Sequence, residues 1–294
     1  MKTYICAIAC VLLFSIPLLG QMQNERRYPS QFSLTESAEV LPNLTFFGRV
    51  SAGLFTQDIT TIQGQVSVGI ADFIELNVLN SDALVNLYGE PQPVAQWGFK
   101  LRILEASDQQ PNVSFLFRTS FDWKNQEFFD HHITVRRPSF SSQGLNGTRH
   151  RMRMTTGSIV ATQRFFSRVH LTGGFGVQEI QIRNLWIFID SAPYVTNGYH
   201  APEIQRTLTL TGMLQAQIDV TSSTSIFFES VSAPMVEPNL SRLSLDYKRG
   251  YLASGGVRFV PLFPVSVDLM LNHSFMEIAR TEFRVSLGIL ADPR

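Results

Sequence analysis

The sequence predicts an all-β protein: a transmembrane, antiparallel, up-and-down β-barrel of about twelve strands. Three observations carry that expectation. Apolar and polar residues alternate with period two in segment after segment, most of them about nine to eleven residues long, the length a tilted strand needs to cross a bilayer. Strands of soluble sandwiches average nearer five or six. No apolar stretch after Gly20 approaches the ~20 residues of a membrane-spanning helix. Short and long connections take turns along the chain, as in barrels with tight turns at one end and long loops at the other.

Residues 1–20 read as a secretory signal peptide. Met1-Lys2-Thr3 is a short basic start, Tyr4 to Leu19 an apolar run, and Gly20 a small residue at the cut. Ala7-Ile8-Ala9-Cys10 is rejected as a lipoprotein box, because too few apolar residues precede Cys10 and the run continues after it. The only cysteines, Cys6 and Cys10, lie in this leader, so the mature chain offers no disulfide, thiolate metal site or Cys nucleophile. Residues 21–43, polar and Pro-containing, read as a flexible periplasmic lead-in.

The barrel is expected over 44–290, with strands near 44–56, 61–70, 74–80, 95–104, 113–122, 150–162, 168–179, 207–220, 224–232, 251–260, 264–274 and 282–290. In the second, Val66, Val68 and Ile70 alternate with Gln65, Ser67 and Gly69. In the fourth, Trp97, Phe99 and Leu101 alternate with Gly98, Lys100 and Arg102. The eighth sets Leu208, Leu210, Leu214, Ile218 and Val220 against Thr207, Thr209, Gln215, Gln217 and Asp219. The eleventh and twelfth repeat it with Val267, Leu269, Phe283 and Val285 against Asp268, Arg284 and Ser286. Successive strand side chains point to opposite faces, so each segment separates a lipid-facing side from an interior side. The sixth carries Arg151 and Arg153 against Met152 and Met154. Tight connections fall at 71–73, 164–167, 221–224 and 261–263, and a somewhat longer one at 106–112. Long polar ones fall at 81–94, 124–148, 184–206 and 233–250, the third starting as a strand extension through Ile180 to Ile189.

Composition limits function. Charged residues make up 16% of the chain, against about 25% in a typical soluble domain. The formal net charge is zero, so nothing pulls the protein toward nucleic acid.

Gly64 to Leu76 resembles the strand–turn–strand of porin-like barrels, and the chain resembles bacterial outer-membrane β-barrel proteins as a class. Trp97 to Glu105 with Pro111-Asn112-Val113 is similar to barrels associated with exopolysaccharide export. The resemblance implies an outer-membrane location after export, a lipid bilayer around the barrel, and insertion by the barrel-assembly machinery. The chain departs from the class at its last strand, which ends Ile289-Leu290 rather than on an aromatic residue; Phe283 is an internal substitute.

The polar faces nominate lumen-lining residues: Arg49, Glu75, Lys100, Arg102, Arg118, Asp122, Arg151, Arg153, His170, Asp219, Arg258, Asp268 and Arg284. Two readings follow. Rings of Arg and Lys give a pore that attracts small polar or anionic solutes. Alternatively the charges pair with one another and with Gln and Ser, and the lumen is closed. Interior glycines at 53, 69, 98, 174, 176, 256 and 288 give curvature or make room for a segment passing close by. No catalytic residue, metal site or cofactor is expected. Asn272-His273-Ser274 is the one candidate for a lipid-hydrolysing dyad, but His273 faces away from its neighbours. Asp130-His131-His132 reads as a solvated loop. The protein is therefore expected to be a pore or a structural or export-associated barrel, with a lipid hydrolase or a soluble exported β protein as alternatives.

Overall fold

The computed structural model describes residues 34–54, 62–81, 86–87, 90–91, 94–107, 110–121, 123–129, 146–165, 168–190, 196–201, 204–239, 244–262, 264–275 and 280–291. The signal peptide, Asp122 and Asp130-His131-His132 lie outside these residues. The described chain holds β1 (Phe46–Leu54), β2 (Ile62–Ala71), β3 (Ile74–Ser81), β4 (Asn86–Leu87), β5 (Glu90–Pro91), β6 (Val94–Leu104), β7 (Asn112–Ser120) and β8 (Trp123–Phe129). It continues with β9 (Asn146–Phe165), β10 (Val169–Asp190), β11 (Thr196–Ala201), β12 (Gln205–Asp219), β13 (Thr224–Asn239), β14 (Ser244–Leu262), β15 (Val265–Ser274) and β16 (Arg280–Ala291).

Twelve of these strands form a closed antiparallel barrel. The ring runs β1-β2-β3-β6-β7-β9-β10-β12-β13-β14-β15-β16 and returns to β1, where Phe46 pairs with Ala291 and Leu54 with Phe283. Closure leaves the lower ring no sheet edge, which is what a β structure needs where no water can satisfy its backbone. Each of the expected strands is present. The sixth and seventh are longer than expected, because β9 and β10 stay paired from Val169↔Phe165 up to Phe188↔Gly147. Residues 233–239 and 244–250 are strand and not loop: β13 and β14 continue through them, paired from Thr224↔Phe259 to Asn239↔Ser244. Alternation there is broken by Pro234, Pro238 and a run of polar residues, so the strand signal fades where the wall leaves the apolar band. β8 and β11 extend the sheet beside the upper parts of β9 and β10.

The tight connections share one end of the barrel with the start of β1 and the end of β16. There Val220 and Thr221 donate to the Thr224 carbonyl, at 2.9 and 3.1 Å, and Arg168 donates to the Phe165 carbonyl at 3.2 Å. The outer surface carries the apolar set: Val66, Leu76, Trp97, Phe175, Leu210, Ile218, Phe228, Leu271 and Leu287 are all exposed. The interior carries the polar set, including Gln65, Ser67, Asn77, Gln96, Gln215, Ser254 and Ser286, all buried. This is a globular protein turned inside out, as lipid outside and a crowded polar lumen require.

Residues 34–42 run inside the barrel. Thr35, Glu36, Ser37 and Ala38 are at most 4% exposed. This strap overturns the expectation of a flexible periplasmic lead-in for the part that is described; 21–33 lie outside the described residues. The segment carries no long alternating pattern, so nothing in it announces a place in the wall, and its short polar side chains suit an interior already lined by hydroxyls and amides.

Candidate functional site: the occupied lumen

The strap leaves the wall at a tight turn. Thr45 donates its N–H to the Pro42 carbonyl at 3.0 Å, with Leu44 in a left-handed conformation, φ 62°. Leu44 then donates to the Gly69 carbonyl, and Gly69 to the Thr45 carbonyl, at 2.8 and 2.9 Å. Gly69 is required here: a Cβ would collide with the carbonyl oxygens of Leu41 and Pro42. Of the two roles open to the interior glycines, this one makes room for a passing segment.

From the rim the strap climbs, touching one side of the ring after another. The Leu41 N–H donates to Glu75 Oε2 at 3.1 Å, and Lys100 Nζ donates to the Glu39 carbonyl at 3.0 Å. The Ala38 N–H donates to Thr162 Oγ1 at 2.8 Å, and Ser114 Oγ donates to the Ala38 carbonyl at 2.5 Å. At the top, Glu229 Oε2 accepts from the N–H groups of Leu34 and Thr35 and from the Thr35 hydroxyl, each at 3.0 Å. Leu34 packs with Leu252 and Val231. Glu36 is clasped by Arg118 and by Lys100 at 3.6 Å, and Gln65 Nε2 donates to it at 3.2 Å. A buried carboxylate between two cations is stabilised only because both are in place, since burial of the charge alone costs several kcal/mol.

The wall charges also pair with each other. Arg258 and Asp268, opposite in the β14–β15 register, make a bidentate pair at 2.7 and 2.8 Å while only 2% and 1% exposed. Arg49 shares the electrostatic neighbourhood of Asp268, Arg258, Glu229 and Arg284. Arg284 donates to Glu282 at 2.9 Å, and Lys100 pairs with Glu75 at 3.4 Å. Nearer the short-turn rim, His170 meets Asp219 at 3.3 Å and Arg102 meets Glu105 at 2.8 Å. Phe227 and Met270 form a small apolar contact among these groups.

The structure therefore brings Arg49, Glu75, Lys100, Arg102, Arg118, His170, Asp219, Arg258, Asp268 and Arg284 to the lumen face. It does not bring Arg151 and Arg153 there. Both are exposed, whereas Met152 and Met154 are buried at 1% and 0%. The parity of β9 is fixed by Thr162, which hydrogen-bonds Thr172 and the strap. Arg151 and Arg153 therefore point outward, about 30 Å above the turn at ~3.4 Å per residue and ~40° tilt, beyond the ~25 Å apolar band. Above that band polar no longer means inward. Missed altogether were Glu36, Glu229 and Glu282. Glu229 follows Phe227-Phe228, an aromatic on each face, which hides the alternation.

His273 Nδ1 lies 2.8 Å from the Thr281 hydroxyl and its ring stands edge-on to Phe275, while Ser274 is buried on the other face. The pair does not assemble. Among the described residues no cluster of His, Cys, Asp or Glu is arranged to hold a metal.

No protein-family model matches the chain, and no curated protein matches it. Solved structures do. The translocator domain of the autotransporter NalP from Neisseria meningitidis superposes with a TM-score of 0.53 at 8% identity, over 99% of this chain and 98% of that one. Two weaker likenesses have TM-scores of 0.28 and 0.29, both at 8% identity. They are a bacterial polysaccharide outer-membrane secretin, over 86% of this chain and 100% of that one, and OprB of Pseudomonas putida, over 84% and 92%. The fold is that of bacterial outer-membrane β-barrels.

Proposed function

We propose that this protein is an exported outer-membrane barrel held shut by its own N-terminal strap, a closed channel rather than a standing pore. The observation that supports this is the burial of Thr35 to Ala38 in the lumen, where Thr35 bonds Gln215 on β12 and Glu36 bonds Gln65 on β2, on opposite sides of the ring. With the strap in place, Arg49, Lys100, Arg118, Arg258 and Arg284 are matched by Glu36, Glu75, Glu229, Asp268 and Glu282. With it withdrawn, Arg118 and Lys100 lose the Glu36 carboxylate and the interior turns net positive. Small anions are then the favoured solutes.

Planar-bilayer recording tests the proposal. The mature chain is expected to be silent, and a Thr35→Ala/Glu36→Ala variant to show openings that favour chloride over potassium. A steady open conductance from the unmodified mature chain would sink the idea, as would continued silence of a variant that folds normally.

A second reading is export of chain lying before the strap. It is supported by direction: the strap climbs from the short-turn rim, so its N-terminal end points toward the long-loop mouth. An epitope inserted between 24 and 28 and stained on intact cells separates the two, since export requires outside access and simple plugging does not.

A further inference from the structure

The barrel wall is not zipped to its full height. β12 pairs with β13 only from Asp219↔Ser225 to Met213↔Val231. Above that, β12 stays with β10 up to Ile182↔Gln205, and β13 stays with β14 up to Asn239↔Ser244, but the two part from each other. At that point a side chain takes the place of the ladder: the Gly212 N–H donates to Ser232 Oγ at 2.7 Å. Higher still, β4 lies parallel to β13 at Met235 and Val236. Because β14 occupies the other edge of β13, β4 caps the edge that faces β12. The result is a notch bounded by β12, β13, the last ladder pair below and β4 above.

Height decides what the notch meets. At ~3.4 Å per residue and ~40° tilt, pairing stops about 16 Å above the short-turn rim, inside an apolar band of ~25 Å. The apolar outer face of β12 continues past that point. Leu214, Leu210 and Leu208 are 66%, 67% and 72% exposed, and Phe175 on β10 is 71% exposed, among the most exposed large apolar side chains described. A cavity of about 430 Å³ lies here, within the ~300–1,000 Å³ typical of small-molecule sites. Its two flanks differ. Leu210, Leu214 and Phe175 form an apolar side; Ser232, Tyr251 and Arg249 form a side with two hydroxyls and a cation. Behind it, across Gly212 and Met213, is a lumen pocket of about 60 Å³ that reaches the strap at Leu34.

We infer that this notch is a lateral binding site for a single-chain anionic amphiphile of the fatty-acid class, taken from the surrounding bilayer and not through the lumen. The apolar flank takes the acyl chain, and Arg249 with the hydroxyls of Ser232 and Tyr251 takes the carboxylate. An unzipped ladder in lipid leaves backbone groups without partners unless something else meets them. The inference rests on the bilayer setting of the barrel but not on closure by the strap.

The test uses cis-parinaric acid, a fluorescent polyene fatty acid, with the mature protein in neutral detergent. Gly212→Cys/Ser232→Cys zips the notch on oxidation. Ile218→Cys/Ile226→Cys, opposed in the paired part of the same strands, is the control. Saturable binding is expected. Oxidation of the first pair is expected to weaken it about tenfold, or ~1.4 kcal/mol, with recovery on reduction, and oxidation of the control to leave it within about twofold. Arg249→Gln is expected to weaken competition by oleic acid about fivefold and to leave competition by oleyl alcohol unchanged. Absence of saturable binding, or equal effects of the two disulfides, overturns the inference. Bilayer conductance does not enter the readout, so its failure and that of strap closure are distinguishable.

Discussion

The charged residues of the interior show what a crowded polar lumen demands of single side chains. Arg258 and Asp268 satisfy each other almost without solvent. Arg258→Ala leaves a buried carboxylate without its partner, and the expected loss is about 3–5 kcal/mol, read as a lower urea midpoint for unfolding from vesicles. Arg258→Met/Asp268→Leu is expected to recover most of it, because an apolar pair of similar volume removes both desolvation costs. A loss as large in the double variant would mean that the pair is not the source. The wall half of this site was legible in the sequence, since alternation alone puts Arg258, Asp268, Arg284 and Lys100 on one face. Its strap half was not. Glu36 reaches Arg118 across 82 residues of chain, and no local pattern encodes a partner at that distance.

At the scale of the strand, one outer face passes through two solvents. Ile159 and Arg153 both point outward from β9, the first at mid-band and the second above it. Ile159→Arg is expected to cost about 2–4 kcal/mol, as for a cation at the bilayer midplane. Arg153→Ile is expected to stay within about 0.5 kcal/mol, as for an ordinary surface substitution. Unfolding from vesicles measures both, and equal effects would mean that the apolar band reaches up to Arg153. The same division explains what the sequence could and could not yield. Strands inside the band alternate well enough to be legible, with Phe227-Phe228 an exception within β13. Strand ends above it, such as Met235 to Asn239 and Ser244 to Lys248, pair as a ladder but carry no alternation of apolar and polar residues, so strand reads as loop.

The whole molecule is a closed ring tied through its middle. Closure makes unfolding an all-or-none event, so the unboiled mature protein is expected to run faster than the boiled one in detergent gels; identical migration would contradict a stable barrel. The strap adds chords to the ring, linking Leu34 to Glu229 over 195 residues and Ala38 to Thr162 over 124. About half of those chords start from its main chain: the amides of Leu34, Thr35, Ala38 and Leu41 and the carbonyls of Ala38 and Glu39. Only Thr35 and Glu36 add side-chain bonds in the deep part of the lumen. The backbone half of that grip on the strap is indifferent to sequence, but the half made by Thr35 and Glu36 is not, and Leu34 and Leu41 also pack against wall side chains. Half-buried Val40 can therefore drift among small and medium side chains, while Thr35 and Glu36 are the positions whose change loosens the strap.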